Sequence, residues 1–289
     1  MAATFDTGQT GGAAGTSAPG RFRPWAGRRR GTEARRLTRR ASILLGLSSV
    51  ILLLAAWQAA YALKLVNPLF TGSPGGIARS FWDMVQGDSL GPELELSAEQ
   101  FALGYLLAVV VGIPLGTLIG WYRPLASFLQ PLISLAYATP KIALFPLFII
   151  WLGIGSSSKV LIIFLECVFQ ILFNTAAGVR TADDNLLRVA RSYCASDLRI
   201  FRDVALPGAV PFIIAGLRLA VGGGLVAMVF AELYVGNGGI GFEISAAGQN
   251  FQTNDLFVGV LIVALTAVVL MGLLQVLERK VDSWRPANG

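Results

Sequence analysis

The sequence predicts an all-α, polytopic membrane protein with six transmembrane helices, and three observations carry that prediction. The first is the length of its apolar runs: several reach 18 residues or more without a charge, which reads as membrane spans rather than core helices. The second is composition. Charged residues make up 14% of the chain, against about 25% in soluble domains, and the mean hydropathy is +0.64. The third is that basic residues cluster in alternate connections between the runs, which orients them.

The chain opens with a Gly-, Ala-, Thr- and Ser-rich stretch followed by nine arginines between positions 21 and 40. Residues 1–40 hold too little apolar surface to fold alone, so they read as a disordered basic tail. The first span, 41–63, is uncharged, and as a helix it is about 34 Å long, enough to cross a bilayer. Its apolar core exceeds the ~7–15 residues of a cleaved signal, so it reads as an anchor despite the Ala60-Tyr61-Ala62 sequence. The second span is 99–121. The third, 125–155, is interrupted by Pro131, Pro140 and Pro146, each of which removes a helical hydrogen bond, so a kink or an unwound stretch is expected there. The remaining spans are 159–179, 209–233 and 256–277, and residues 285–289 form a C-terminal tail.

The arginine-rich tail puts the N-terminus in the cytoplasm, and six crossings return the C-terminus to the same side, where Arg279, Lys280 and Arg285 agree. The segment from Lys64 to Gln100 then reads as an acidic external loop. A pI of 9.7 is explained by these flanking arginines and needs no nucleic-acid partner. The chain has no histidine, which removes the commonest general base and metal ligand. Cys167 lies in an apolar run and Cys194 in a charged segment, so neither suggests a disulfide, and no metal-ligand spacing surrounds them.

That charged segment, 180–207, is the anomaly of the chain. Arg180 to Asp203 holds nine charged residues between two apolar spans, on the cytoplasmic side by the topology above. Thr181 with Asp183 and Asp184 reads as a helix start, and Leu186, Leu187, Val189, Ala190 and Tyr193 recur with helical period. Ser196-Asp197 starts a second short helix through Phe201, and Pro207 is expected to stop any continuation of it. Two short amphipathic helices suit docking on a partner. They equally suit an interfacial position among lipid headgroups. On pattern alone both readings stand.

The stretch Arg188 to Pro207 resembles the "EAA" cytoplasmic loop of binding-protein-dependent ABC transporter permeases. Ala190, Ala195-Ser196, Phe201, Val204 and Leu206-Pro207 fall at its spacings, while Arg188 stands where Glu is usual and Cys194 where Gly is usual. The segments TGSPGGIARSFWDM, GYLLAVVVGIPLGTLIGWYRPL, KIALFPLFIIWLGIGSSSKV, LPGAVPFIIAGLRLAVG, AELYVGNGGIGFEI and LERKVDSWRP resemble, in that order, the nitrate/sulfonate/taurine/bicarbonate group of such permeases.

The resemblance implies a type I ABC importer permease fold over residues 41–284. It implies a pathway formed with a second permease subunit, as a homodimer, two cytoplasmic ATPase subunits and an extracytoplasmic solute-binding protein. The solute would be small and polar or anionic: a sulfonate, taurine, nitrate or bicarbonate. ATP and Mg would sit on the partner ATPase and no cofactor on this chain, which lacks a phosphate-cradling G-x-x-x-x-G-K-[ST] loop. The coupling residues would be Arg188, Ala190, Arg191, Tyr193, Cys194, Ala195, Ser196, Asp197, Phe201, Leu206 and Pro207. The two alanines would permit close approach, the two aromatics would fill a pocket, and Arg199 and Arg202 would join the other arginines in meeting acidic groups.

Polar residues inside spans are functional candidates by default. Glu166, Gln170 and Asn174 share one helical face, and Tyr137, Thr139 and Lys141 sit at the proline break, where unwound backbone is tolerated if it lines a cavity. Arg218 is a candidate for pairing with an acid or meeting a solute, and Glu232 for snorkelling or gating near the outer end of the fifth span. Gly236, Gly238, Gly239 and Gly241 literally spell G-x-G-x-x-G. A dinucleotide site needs a preceding strand, however, so they read as a tight, mobile external turn near an outer gate. The alternative function, a secondary transporter or channel without an ATPase, leaves the amphipathic segment without a purpose and shows no internal repeat.

Overall fold

The computed structural model describes residues 39–282. The predicted tails, 1–40 but for its last two residues and 285–289, lie outside the described residues. The chain divides into two units, 1–49 and 50–289. Of the first, the described part is helical, the opening turns of α1 (Arg39–Ala62). All the packing described below belongs to the second.

The acidic segment that the sequence suggests as a loop is largely helical instead. Asn67 and Ser73 cap α2 (Pro68–Thr71) and α3 (Pro74–Gln86), accepting from Leu69 N at 3.1 Å and Gly76 N at 3.0 Å. In each helix proline takes the first position, where its missing N–H costs nothing. Helix α4 (Leu90–Trp121) starts nine residues before the predicted span. At about 48 Å it exceeds the ~30 Å hydrocarbon layer, so it has turns to spare outside the membrane.

The third span is two helices, α5 (Arg123–Ala138) and α6 (Phe145–Leu152), joined by a 3₁₀ turn at Lys141–Leu144 and bent by 78°. Pro140 causes the break: it offers no N–H to the preceding turn and pushes Thr139 into the extended region, φ −69° and ψ 129°. Five described helices are long and apolar enough to cross a membrane, and six counting this bent pair as one span.

Helix α7 (Ser156–Arg180) is the axis of the bundle, packed along both α4 and α10 (Leu206–Val235). The contact with α4 runs through a stripe of small residues four apart: Gly104, Ala108, Gly112, Gly116 and Gly120. A Cβ on Gly116 would stand 2.6 Å from the Leu172 carbonyl oxygen, and one on Gly104 2.7 Å from Ile163. Small residues let the backbones approach this closely, which matters because lipid supplies no hydrophobic drive between helices. On the other side Gly223 and Gly224 bring α10 against Gln170 and Cys167 of α7. Phe101, Ile163, Cys167, Ile171, Leu225 and Met228 fill the space between the three helices.

Between α7 and α10 the chain departs from expectation in two ways. Asp183, not Thr181, caps α8 (Asp184–Ser192), accepting from Asn185 N at 2.8 Å, while Thr181 Oγ1 donates back to Ala177 and Gly178 carbonyls and closes α7. Nor does Pro207 end a helix. From α9 (Asp197–Ile200) the backbone stays helical through a π turn at Phe201–Ala205 and on to Val235. The widened turn absorbs the hydrogen bond that Pro207 cannot donate, so the proline sits in the first turn of α10 without breaking the rod. Helices α11 (Ile240–Gln249) and α12 (Thr253–Asp282) complete the chain. Asn254 of α12 accepts from Ser73 N at 3.0 Å, which ties α12 to the start of α3.

Candidate translocation site and coupling surface

The proline break and the polar face of α7 meet. A cavity of about 670 Å³ is lined by Tyr137, Thr139 and Lys141 from the break and by Glu166, Gln170 and Asn174 from α7, with Phe173 and Leu219 completing it. Six of the eight pathway candidates are thus brought together. Lys141 Nζ lies 3.5 Å from Glu166 Oε2, with side-chain exposures of 12% and 24%. The same ammonium stands 5.2 Å from the Tyr137 ring centroid and 5.5 Å from that of Phe169, so two aromatic faces and one carboxylate hold it. Tyr137 in turn packs edge-on to Phe173 at 5.0 Å. Thr139 Oγ1 donates to Leu135 O and Asn174 Nδ2 to Gln170 O, so these two side chains have local partners.

The other two candidates lie elsewhere. Arg218 pairs with Glu278 of α12, outside the cavity, although its neighbour Leu219 lines it. Glu232 does not snorkel. It is fully buried and accepts from Ser97 Oγ at 2.7 Å and Gly241 N at 2.8 Å.

Glu232 belongs to a buried polar cluster at the end of the bundle where α7 begins. Lys159, 1% exposed, donates to the Asn237 and Gly238 carbonyls at 3.2 and 3.0 Å. Glu93 accepts from Gly239 N and Ser97 Oγ from Ile240 N at 2.9 Å. The glycine turn is therefore clamped from α4, α7 and α10 rather than hanging free. Gly236, Gly238 and Gly239 take φ of +63°, +74° and +102°, a course that side chains resist. The three N–H groups that open α11 all point at side-chain oxygens of the cluster. Nearby, burial together with the Glu93 and Asp255 carboxylates pushes the Glu243 carboxyl above its usual range. Sequence reasoning missed Glu93 and Ser97, which fall in the acidic external segment 64–100, and Lys159, which falls at the first position of the fourth span.

At the opposite end of α7 lies the 180–207 segment. Leu186, Val189, Tyr193 and Leu198 are exposed, Tyr193 by 84% and Leu198 by 75%, and Arg188, Arg191, Arg199 and Arg202 are exposed beside them. Ala190 and Ala195 are half-buried, and Ala195 N donates to the Ala190 carbonyl at 3.1 Å, closing the turn between α8 and α9. Cys194 takes φ +54°, the left-handed conformation that favours glycine. Ser196 and Asp197 open α9 at the surface, and Leu206 and Pro207 enter α10 half-buried. Phe201 turns inward and packs on Trp121 of α4 at 5.1 Å between centroids.

Known proteins place this architecture. Residues 109–283 match the family described as binding-protein-dependent transport system inner membrane component. The chain is 32% identical over 247 residues to the taurine transport system permease protein TauC of Escherichia coli (strain K12), covering 84% of this chain and 90% of that one. It is 32% identical over 184 residues to the nitrate import permease protein NrtB of Synechococcus elongatus, covering 63% and 66%. Among solved structures, an inward-facing conformation of the MetNI methionine ABC transporter shares the fold at a TM-score of 0.56 and 16% identity, covering 64% of this chain and 93% of that one. Membership of the family implies a partner ATPase and a solute-binding protein. The chain belongs to the binding-protein-dependent transport system inner membrane component family, as a non-catalytic, multi-pass permease subunit of an ABC importer.

Proposed function

We propose that the chain forms the pathway of an ATP-driven importer for a small polar or anionic solute of the sulfonate, taurine, nitrate or bicarbonate type. Residues 180–207 couple it to the ATPase. The observation that carries the coupling role is the row of exposed apolar side chains on α8 and α9, centred on Tyr193 and edged by arginines. An apolar row of this kind outside the spans is stable once a partner covers it, and the arginines suit an acidic rim on that partner. Both termini and this surface then face the cytoplasm, and the clamped glycine turn faces outward, toward the solute-binding protein. ATP and Mg belong to the partner, with no cofactor on this chain.

Force transmission rests on the continuous helix of residues 197–235. Its lower end carries the docking surface, its middle packs on the α7 helix that lines the cavity, and its upper end holds Glu232 under the glycine turn. A shift at the ATPase therefore reaches the cavity and the outer clamp through one rigid rod. The cavity opens on the surface of the subunit, and a second copy of the chain closes it as a homodimer. The test is Tyr193→Asp in the assembled transporter. Loss of ATPase co-purification and of uptake, with the permease still folded, supports the coupling role; unchanged assembly and uptake refutes it.

A further inference from the structure

The charges that line the cavity are one of each sign and already touch each other. Lys141 and Glu166 are the ionised residues in its lining, 3.5 Å apart, and the rest of the lining is neutral or aromatic. The cavity is therefore not an electropositive trap. A simple anion that reaches Lys141 must displace Glu166, and it leaves that carboxylate beside it, partly buried and unpaired. Breaking a partly buried pair in this way works against binding.

From this geometry we infer that the cavity recognises small zwitterions, solutes with an anionic head and an ammonium separated by two or three carbons; this rests on the pathway reading above. Such a solute exchanges ion pairs instead of breaking one. Its anion takes the place of Glu166 on Lys141, and its ammonium takes the place of Lys141 on Glu166. The number of opposite-charge contacts does not fall. An aromatic face adds to the selection. The Tyr137 ring, which lines the cavity and now flanks the Lys141 ammonium at 5.2 Å, offers the same cation-attracting face to the solute's ammonium. Gln170 and Asn174, one and two turns along α7 from Glu166, supply neutral donors and acceptors to an oxyanion head. Release is built in as well. When the solute leaves, Lys141 and Glu166 close on each other again, so neither charge waits unpaired in the pathway.

The test is a matched pair of solutes in proteoliposomes holding the complete transporter with its ATPase and binding protein. 2-Aminoethanesulfonate and ethanesulfonate share the anionic head, and the first carries the ammonium in addition. The binding protein is the same in every sample, so its own selectivity cancels when each variant is divided by wild type. Glu166→Gln is expected to lower uptake of 2-aminoethanesulfonate relative to ethanesulfonate by roughly tenfold, the order expected for one charge-assisted contact. Glu166→Asp is expected to restore most of that ratio, and Lys141→Gln to depress both solutes together. An unchanged solute ratio in Glu166→Gln, whether both rates fall or both hold, overturns the inference, because a structural carboxylate would affect the two alike. A wild-type transporter that carries nitrate or ethanesulfonate but not the zwitterion overturns the inference and leaves the permease reading standing. One that carries none of the three sinks the solute class and the inference together.

Discussion

Adding a methyl group to Gly116 should push α4 away from α7, whereas the same methyl on Gly272 should stabilise the protein. A Cβ at Gly116 would lie 2.6 Å from the Leu172 carbonyl oxygen and 2.8 Å from Thr175 Cβ; the first obstacle is backbone and cannot swing aside. Reaching ordinary contact at 3.4 Å requires the helices to part locally by most of an ångström. A gap of that size forfeits about a third of the dispersion in a contact worth about 40 atom pairs at ~0.15 kcal/mol each, or ~2 kcal/mol. Alanine returns up to ~1 kcal/mol through its better helix propensity, so Gly116→Ala should destabilise by about 1 kcal/mol. At Gly272 nothing lies within 4 Å, and the propensity gain of up to ~1 kcal/mol stands alone. The two variants should thus differ by about 2 kcal/mol, or roughly 4–8 °C in Tm for a chain of this size. Thermal unfolding of the purified protein in detergent, monitored by size-exclusion chromatography, measures that gap. If both substitutions shift Tm in the same direction, the close approach of α4 and α7 at the glycine stripe is wrong.

The proposed docking surface at 180–207 gives two further expectations. Phe201→Ala should lower thermal stability by about 2 kcal/mol, because it removes a half-buried ring from Trp121, whereas Tyr193→Ala should leave stability unchanged and weaken ATPase association in a pull-down. Equal effects of the two on stability would contradict the inward and outward placement of these rings. Cys194→Gly should keep the α8–α9 turn and raise its stability by up to ~1 kcal/mol, since glycine accepts φ +54° without penalty; Cys194→Val should cost ~1–2 kcal/mol and impair association. At the other end of the bundle, Lys159→Met should destabilise by about 3 kcal/mol, leaving two carbonyls without their donor and two buried-end carboxylates without a nearby cation. The double variant Lys159→Met/Glu232→Gln should recover part of that loss, measured by the same thermal assay. Strict additivity of the two single effects would show that Lys159 and Glu232 are not coupled.

Much of the candidate site was legible in the sequence because it lies on faces that periodicity defines. Glu166, Gln170 and Asn174 recur at four-residue spacing, so they share one side of α7 whatever surrounds it. Pro140 broke the helix where proline must, and unwound backbone inside a membrane needs a cavity. The α4 stripe from Gly104 to Gly120 was equally readable, as small residues every fourth position, although charged and broken segments are the louder signals. What periodicity cannot supply is the partner across the gap. Lys141 and Glu166 stand 25 positions apart in the chain and Arg218 and Glu278 60 apart, and Arg218 had several other acids within the same reach of sequence.

Two local signals also pointed the wrong way. Pro207 looked like a helix stop, but a stop is only one answer to a missing N–H. A π turn is another, and it wins here because the apolar residues on both sides are held against α4 and α7. The acidic segment 64–100 looked like a solvated loop, yet its Asn-Pro and Ser-Pro pairs were helix starts, and α12 receives the resulting helices through Asn254.

The membrane environment, the succession of apolar spans, the break in the third span and the family are all readable from the chain alone. These depend on hydropathy, proline and local spacing, which are properties of neighbours in the chain. It takes the packed bundle to clamp Glu232 under the glycine turn instead of letting it reach for solvent, to pair Arg218 with Glu278, and to bring Lys141 to Glu166 in the cavity. Those outcomes depend on which helix faces which across a few ångströms. A charge buried in an apolar bundle persists only where that geometry brings it a partner.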